Sequence, residues 1–273
     1  MTVVRSRGAG AALLLVAAGG GCSSAPMPIG PPATPVMVGA GRLLREEGVL
    51  RLQEGDWAEE GAKGRWFSAC VPPKSRVQVL PSDTVQRLEV LVAPLSGSWA
   101  AINGGFYDQA AMGLVVSGGH THTPLSAKGG SGVLSWGPGP AQIQHRDTYG
   151  GVAREALQSI DRLVDEGKVL VEARAGAHRD ARSGVGLSPE GLCLTVAAAD
   201  SSLVATPAGY QLIRSAGEGL TLAGFARLLR ELQAVYALNL DGAVSSQMIV
   251  QTTEGRWELR GERGTINGVV IHP

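Results

Sequence analysis

Beyond residue 42 the chain is a succession of short aliphatic runs, some alternating and some continuous, broken by Gly, Ser and Pro. Runs of this length between turn residues predict strands. They cover 76–80, 87–93, 99–102, 113–116, 132–136, 141–145 and 191–197, then 210–214, 235–240, 248–251, 256–259 and 268–271. One segment keeps a different period. After Thr221, a suitable N-cap, Leu222, Phe225, Ala226, Leu229 and Leu232 recur on one helical face, with Arg227, Arg230 and Glu231 on the other, which predicts an amphipathic helix to about Gln233. It leads into 235–240, whose nearly unbroken apolar character predicts a strand buried on both faces. A second, shorter helix is expected at 152–159. Many strands with a few helices indicate an α+β fold, a single domain with a strand-rich mixed β core and a few packed helices.

The N-terminal pattern belongs to export. Arg5 and Arg7 precede an apolar run at 9–18, and Gly19, Gly20 and Gly21 lead into Cys22, the layout of a secretory signal. The run is too short for an ordinary membrane-spanning helix. A Cys after small residues also resembles a bacterial lipobox, although Gly19 stands where that pattern prefers Leu. The expected organisation is a signal peptide at 1–21, a lipidated Cys22 with a Pro-rich tether at 22–41, and a body at 42–273. A simple cleaved signal is the alternative. Pro26, Pro28, Pro31, Pro32 and Pro35 make the tether extended. This places the body at the bacterial cell envelope, with the membrane as a partner through the lipid anchor.

Composition narrows the chemistry. The 273 residues are 44% hydrophobic, enough to bury one sizeable core. Lys+Arg 24 balances Asp+Glu 24, so no global field holds a polyanion and nucleic acid is not an expected partner. With Gly 39 and only 4% aromatics, turns and close strand approaches dominate. In an oxidising compartment Cys70 and Cys193 either pair or remain two buried thiols, and sequence does not decide which. No G-x-S-x-G elbow, Walker loop, H-E-x-x-H or paired C-x-x-C occurs, so lipase, nucleotide-hydrolase and zinc readings lack their signatures. His120-Thr121-His122 is too sparse for a metal site by itself. No metal site or cofactor is therefore assigned, and a divalent cation is left open.

Three strings carry candidate chemistry. Asn103-Gly104-Gly105-Phe106-Tyr107-Asp108 ends a strand in glycines that permit positive φ and close backbone approach, beside aromatic faces that suit sugar rings. Arg182-Ser183-Gly184-Val185-Gly186 brings a guanidinium, able to grip a phosphate, into a strand. Asn239-Leu240-Asp241-Gly242-Ala243-Val244-Ser245-Ser246 puts a carboxylate, a Gly turn and two hydroxyls at the end of a buried strand. Singly, each has an ordinary explanation: an Asn-Gly turn, a surface ion pair and an Asp-Gly hairpin.

Together, and in this order, these strings resemble the phosphodiester glycosidase family. Gly219 to Leu222 ahead of the helix, the stretch from Leu157 to Gly167, and Asn267 near the end also fit its pattern, and the resemblance spans roughly 75–273. It implies hydrolysis of a sugar-1-phosphodiester at the anomeric carbon, with a carbohydrate phosphodiester as substrate. On that reading Asp241 is the leading catalytic carboxylate and Asp108 a second candidate. Asn103 and Asn267, with the backbone at Gly104 and Gly105, bind substrate, and Arg182, Ser245, Ser246 and donors after Gly242 hold its phosphate. Lys128 is a further candidate charge. The chain departs from the family at Ala243 and Val244, where glycine followed by glycine or proline is usual, and at Asp161, where proline is usual. Those departures support an alternative: a non-catalytic carbohydrate- or phosphate-binding envelope lipoprotein on the same fold.

Overall fold

Strand alternation decides which faces meet. Along Gly191–Ala199, Leu194, Val196 and Ala198 enter one apolar cluster while Ala197 and Ala199 enter another on the opposite face, as a two-residue period requires. The structure is a computed structural model and describes residues 35–172, 174, 177–213 and 217–273. Cys22 and the expected signal peptide lie outside the described residues.

Gly191–Ala199 sits inside a nine-stranded sheet. Its order is Met37–Val38, Leu50–Glu59, Ala62–Val71, Gly191–Ala199, Arg182–Ser188, Tyr236–Asn239, Arg162–Asp165 and Lys168–Val169, with Arg42–Glu47 also paired to Leu50–Glu59. A second sheet of seven strands runs Leu203–Thr206, Gly209–Leu212, Gly255–Arg260, Met248–Thr252, Trp99–Asn103, Thr265–His272 and Arg76–Gln86. A third, of five strands, runs His120–Thr123, Val115–Ser117, Glu155–Ser159, Gly132–Trp136 and Gln142–His145. The main core forms where the three meet: Phe67 and Leu194 of the first sheet, Val79 and Ile102 of the second, and Leu134 and Leu157 of the third share one cluster.

Each of the two α-helices covers an outer face. Helix α1 (Leu88–Leu91) brings Leu88 onto Trp99, Ala101, Ile249 and Val270 of the second sheet. Helix α2 (Leu222–Glu231) lays Phe225, Ala226 and Leu229 against Trp57, Trp66 and Leu163 of the first. The hydroxyl of Thr221 accepts from the Gly224 N–H at 2.9 Å, the expected N-cap. The described residues are thus mostly strand, with fewer helices than an α+β reading implies.

Two expected elements exchange identity. The run at 87–93 folds as α1, because one helical turn and a short strand present the same apolar spacing. The segment at 152–159 is the strand Glu155–Ser159, not a helix; all five residues are buried between neighbouring strands, so pairing overrides the helical preference of Glu, Ala, Leu and Gln. The strand Leu50–Glu59 escapes the hydrophobic pattern because inward positions Glu54 and Glu59 carry charge. Glu54 is buried and paired with Arg42 and Arg65. Cys70 and Cys193 lie directly opposite each other, with Cα atoms 4.1 Å apart, and form a disulfide. Met37–Val38 pairs with Trp57 and Ala58, so this part of the expected tether is a sheet edge.

Candidate active site

Two strands from different sheets end side by side, and the turns that follow are tied together. Asn103 closes Trp99–Asn103 and Asn239 closes Tyr236–Asn239. The Asp241 N–H donates to Gly104 O at 3.0 Å, and the Asn103 side-chain amide donates to Asp241 O at 2.6 Å. Asn103 Oδ1 accepts from the Ser183 hydroxyl at 2.9 Å and from the Gln247 N–H at 3.1 Å. Its Oδ1 is saturated and its amide donates to the Asp241 carbonyl, all inside a buried position. The expected contact of Asn103 with sugar hydroxyls is corrected: this side chain positions the turn that carries Asp241.

The same holds for Asn267. It is buried, its carbonyl accepts from the Gly104 N–H at 2.8 Å, and its Oδ1 accepts from the Gly105 N–H at 2.8 Å. These bonds consume the two backbone donors that were candidates for substrate. Neither glycine has positive φ; both are required by space. A Cβ on Gly104 would overlap the Asn267 amide, and one on Gly105 would stand 2.7 Å from Gln158 O.

Asp241 is half-buried, and its Oδ1 accepts from the Gly242 N–H at 3.0 Å. Burial pushes its carboxyl above the usual carboxylate range, while a hydrogen bond to Ser245, the Gly242 N–H and the charge of Arg263 pull the other way. Gly242 is packed so that a Cβ would lie 2.9 Å from Ala181 O. Ala243 has φ +54°, a left-handed conformation that glycine adopts without cost. Ser245 and Ser246 are both buried, and the Ser246 hydroxyl has no partner among the described residues, nor does Asn239 Oδ1. Asp161 is close by along the backbone: its carbonyl accepts from the Asn239 N–H at 3.1 Å, its φ is +55°, and burial raises its carboxyl as well.

Tyr107 faces this turn. Its hydroxyl donates to Gly264 O at 2.9 Å, and the Arg263 guanidinium lies over its ring, 4.9 Å from the centroid. Burial raises the Tyr107 phenol, with Arg263 opposing and Asp241 adding to the rise. Consecutive residues of a strand project to opposite faces, so Asp108, next along Tyr107–Asp108, is exposed.

Arg182 is also placed differently from its expected role. Its Nε donates to Leu220 O at 3.1 Å and its Nη2 to His178 O at 2.9 Å. Asp180 and Glu59 are the charges that act on it, and burial lowers its pKa. Its donors brace the loop before α2, and the arginine whose charge reaches Asp241 is Arg263. Sequence reading missed Arg263. The available signal was its position just ahead of Gly264 and the Asn267 string. Gly184 and Gly186 also belong to packing, against Phe225 and Ala234 respectively. Lys128 is exposed, and His120 and His122 are exposed on an edge strand. Among the described residues no group of three or more His, Cys, Asp or Glu side chains is arranged to hold a metal ion.

The constellation is therefore a carboxyl of raised pKa supported by a buried hydroxyl, beside a guanidinium on an aromatic shelf. It can accept a proton from water while an anion sits at the guanidinium. A family model described as phosphodiester glycosidase matches residues 96–272. The catalytic domain of zebrafish N-acetylglucosamine-1-phosphodiester alpha-N-acetylglucosaminidase, in a form auto-inhibited by its pro-peptide, superposes with a TM-score of 0.61 at 16% identity, over 88% of each chain. A hypothetical protein from Synechocystis gives a TM-score of 0.61 at 14% identity, over 86% of this chain and 64% of the other. At such identities the structural likeness shows a shared fold. No curated protein sequence matches the chain.

Proposed function

The chain belongs to the phosphodiester glycosidase family, and from that premise we propose that it hydrolyses a sugar-1-phosphodiester at the anomeric carbon, releasing free sugar and a phosphomonoester. The observation that carries this reading is Asp241: a half-buried carboxyl of raised pKa, fixed by the Gly242 N–H and Ser245 where two sheets join. Water attacks the anomeric carbon and its proton passes to Asp241, while the bond from that carbon to the phosphate oxygen breaks with its electron pair on the oxygen. The departing phosphate is already a stable anion, so a separate proton donor is less necessary than in ordinary glycosidases. The negative Asp241 also stabilises the positive charge that develops on the sugar.

Ala243, together with Val244, is the main sequence support for a binding-only reading. Its backbone nevertheless holds the left-handed conformation that a glycine would take, so the methyl group has not forced the turn elsewhere. That favours retained turnover. The export-like N-terminus supports action at the bacterial cell envelope, with Cys22 as the lipid attachment, and the Cys70–Cys193 disulfide fits an oxidising compartment. The test is release of free sugar from an N-acetylglucosamine 1-phosphodiester by the purified protein. Asp241→Asn is expected to lower kcat by about 10²–10⁴ with the fold intact by circular dichroism. Binding of the diester without sugar release would reject the hydrolase.

A further inference from the structure

We propose that Arg263, stacked on Tyr107, is the residue that holds the phosphate side of the substrate, and that Arg182 is not. The identity of the anion rests on the hydrolase reading; the anion site itself does not. The position of Arg263 is set from several directions. Its N–H donates to Val244 O at 3.0 Å, which ties it to the turn after Asp241. Its carbonyl accepts from the Gln247 side-chain amide at 3.2 Å. The next carbonyl, of Gly264, accepts the Tyr107 hydroxyl at 2.9 Å, so the same ring that carries the guanidinium is pinned to the adjoining peptide.

Stacking occupies one face of a guanidinium, and beyond its hydrogen bond to Tyr107 the remaining in-plane N–H donors of Arg263 stay at the edge. Arg263 is exposed and forms no ion pair with another described residue. Arg182 differs in exposure and in its donors: it is partly buried, and its Nε and one terminal nitrogen already donate to Leu220 and His178 carbonyls. A cation beside a catalytic carboxyl, yet not bonded to it, can serve charge that arrives with the substrate. A phosphodiester brings one negative charge and leaves as a phosphomonoester with more, because the breaking carbon–oxygen bond puts its electron pair on the phosphate. The attraction to Arg263 therefore grows along the reaction, the condition for accelerating it. Tyr107 acts as a positioning residue, because its hydroxyl is committed to Gly264.

Inorganic phosphate is the probe, titrated calorimetrically into the full chain, with Arg263→Gln, Arg263→Lys and Arg182→Lys compared to the parent. Binding to the parent is expected to weaken as salt is added. Arg263→Gln should weaken it at least about tenfold, Arg263→Lys should restore part of the loss, and Arg182→Lys should leave phosphate affinity within about twofold. Because Arg263 is exposed, its variants should keep the parental melting temperature. Absence of phosphate binding by the parent, or unchanged binding in Arg263→Gln, overturns the assignment. The diester assay separates the two readings. Phosphate held through Arg263 without sugar release keeps this site and removes the hydrolase, whereas sugar release with phosphate affinity indifferent to Arg263 does the reverse.

Discussion

The turn at Asn103–Gly105 and the turn at Asp241–Ser246 lie against each other and are built on opposite principles. In the first, the polar groups are spent inside the protein: the Asn103 amide on Asp241 O, Ser183 and Gln247, and the N–H groups of Gly104 and Gly105 on Asn267. In the second, Asp241 keeps its carboxyl in a site that raises its pKa, Ala243 occupies a left-handed conformation, and the buried Ser246 hydroxyl has no partner. Saturated hydrogen bonding gives rigidity, whereas the half-buried Asp241 carboxyl keeps access to a ligand. The contrast makes the first turn the support and the second the working part, although both looked like candidate contacts in sequence.

If that division is right, damage to the support should cost stability first and activity as a consequence. Gly104→Ala is the severest case, because its Cβ would overlap the Asn267 amide and lie 2.8 Å from Asn267 O. The loss of about 3 kcal/mol or more expected of overpacking against backbone should appear in urea unfolding, with sugar release falling too. A variant of parental stability would show that the support yields easily. Asn103→Ala comes next. It strands the buried Ser183 hydroxyl and Gln247 N–H and should cost about 2 kcal/mol. If Asn103 instead touched sugar, KM would rise while unfolding stayed unchanged, and the two turns would have to exchange roles.

Much of this plan was legible in the chain, for reasons that also set its limits. The strings around Asn103 and Asp241 stand out because strand ends need Asn, Asp and Gly, and a site built from strand ends inherits that punctuation. Which member bonds inward is a tertiary matter. Asn103 and Asn267 read as ligands until Ser183, Gln247 and Gly105 are seen beside them. Asp108 stands out by its carboxyl and Tyr107 only as an aromatic face, and the direction in which each side chain of a two-residue strand points is not encoded locally. Arg182 carries a motif and Arg263 carries none, yet it is the charge of Arg263 that opposes the rise of the Asp241 pKa. In the fold, the amphipathic period fixed α2 down to its Thr221 cap, whereas 87–93 and 152–159 are short enough for pairing to decide.

Smaller effects sharpen the reading of the working turn. Asp241 has a pKa raised in the folded protein, so its contribution to stability is present below the ordinary carboxylate value and is lost as pH rises through the raised one. Asp241→Asn keeps an oxygen for the Gly242 N–H and removes the buried charge. The variant should therefore melt above the parent at pH 7, and the two curves should converge in acid, below the carboxylate range. A variant that melts lower at pH 7 would mean that Ser245, Gly242 and Arg263 outweigh burial and that the carboxylate is stabilised as an anion.

Ala243→Gly should produce the smallest change. At φ +54° the methyl group of Ala243 costs roughly 1 kcal/mol. Glycine removes that strain but loses about as much through the greater freedom of the unfolded chain. The net shift in stability should stay within about 0.5 kcal/mol, while the turn keeps its conformation and sugar release remains near the parental rate. A large gain in turnover would instead show that the alanine crowds the space where substrate meets the backbone. The departure from the family's glycine would then be a restraint on activity, and the boundary between support and working turn would run through residue 243 itself.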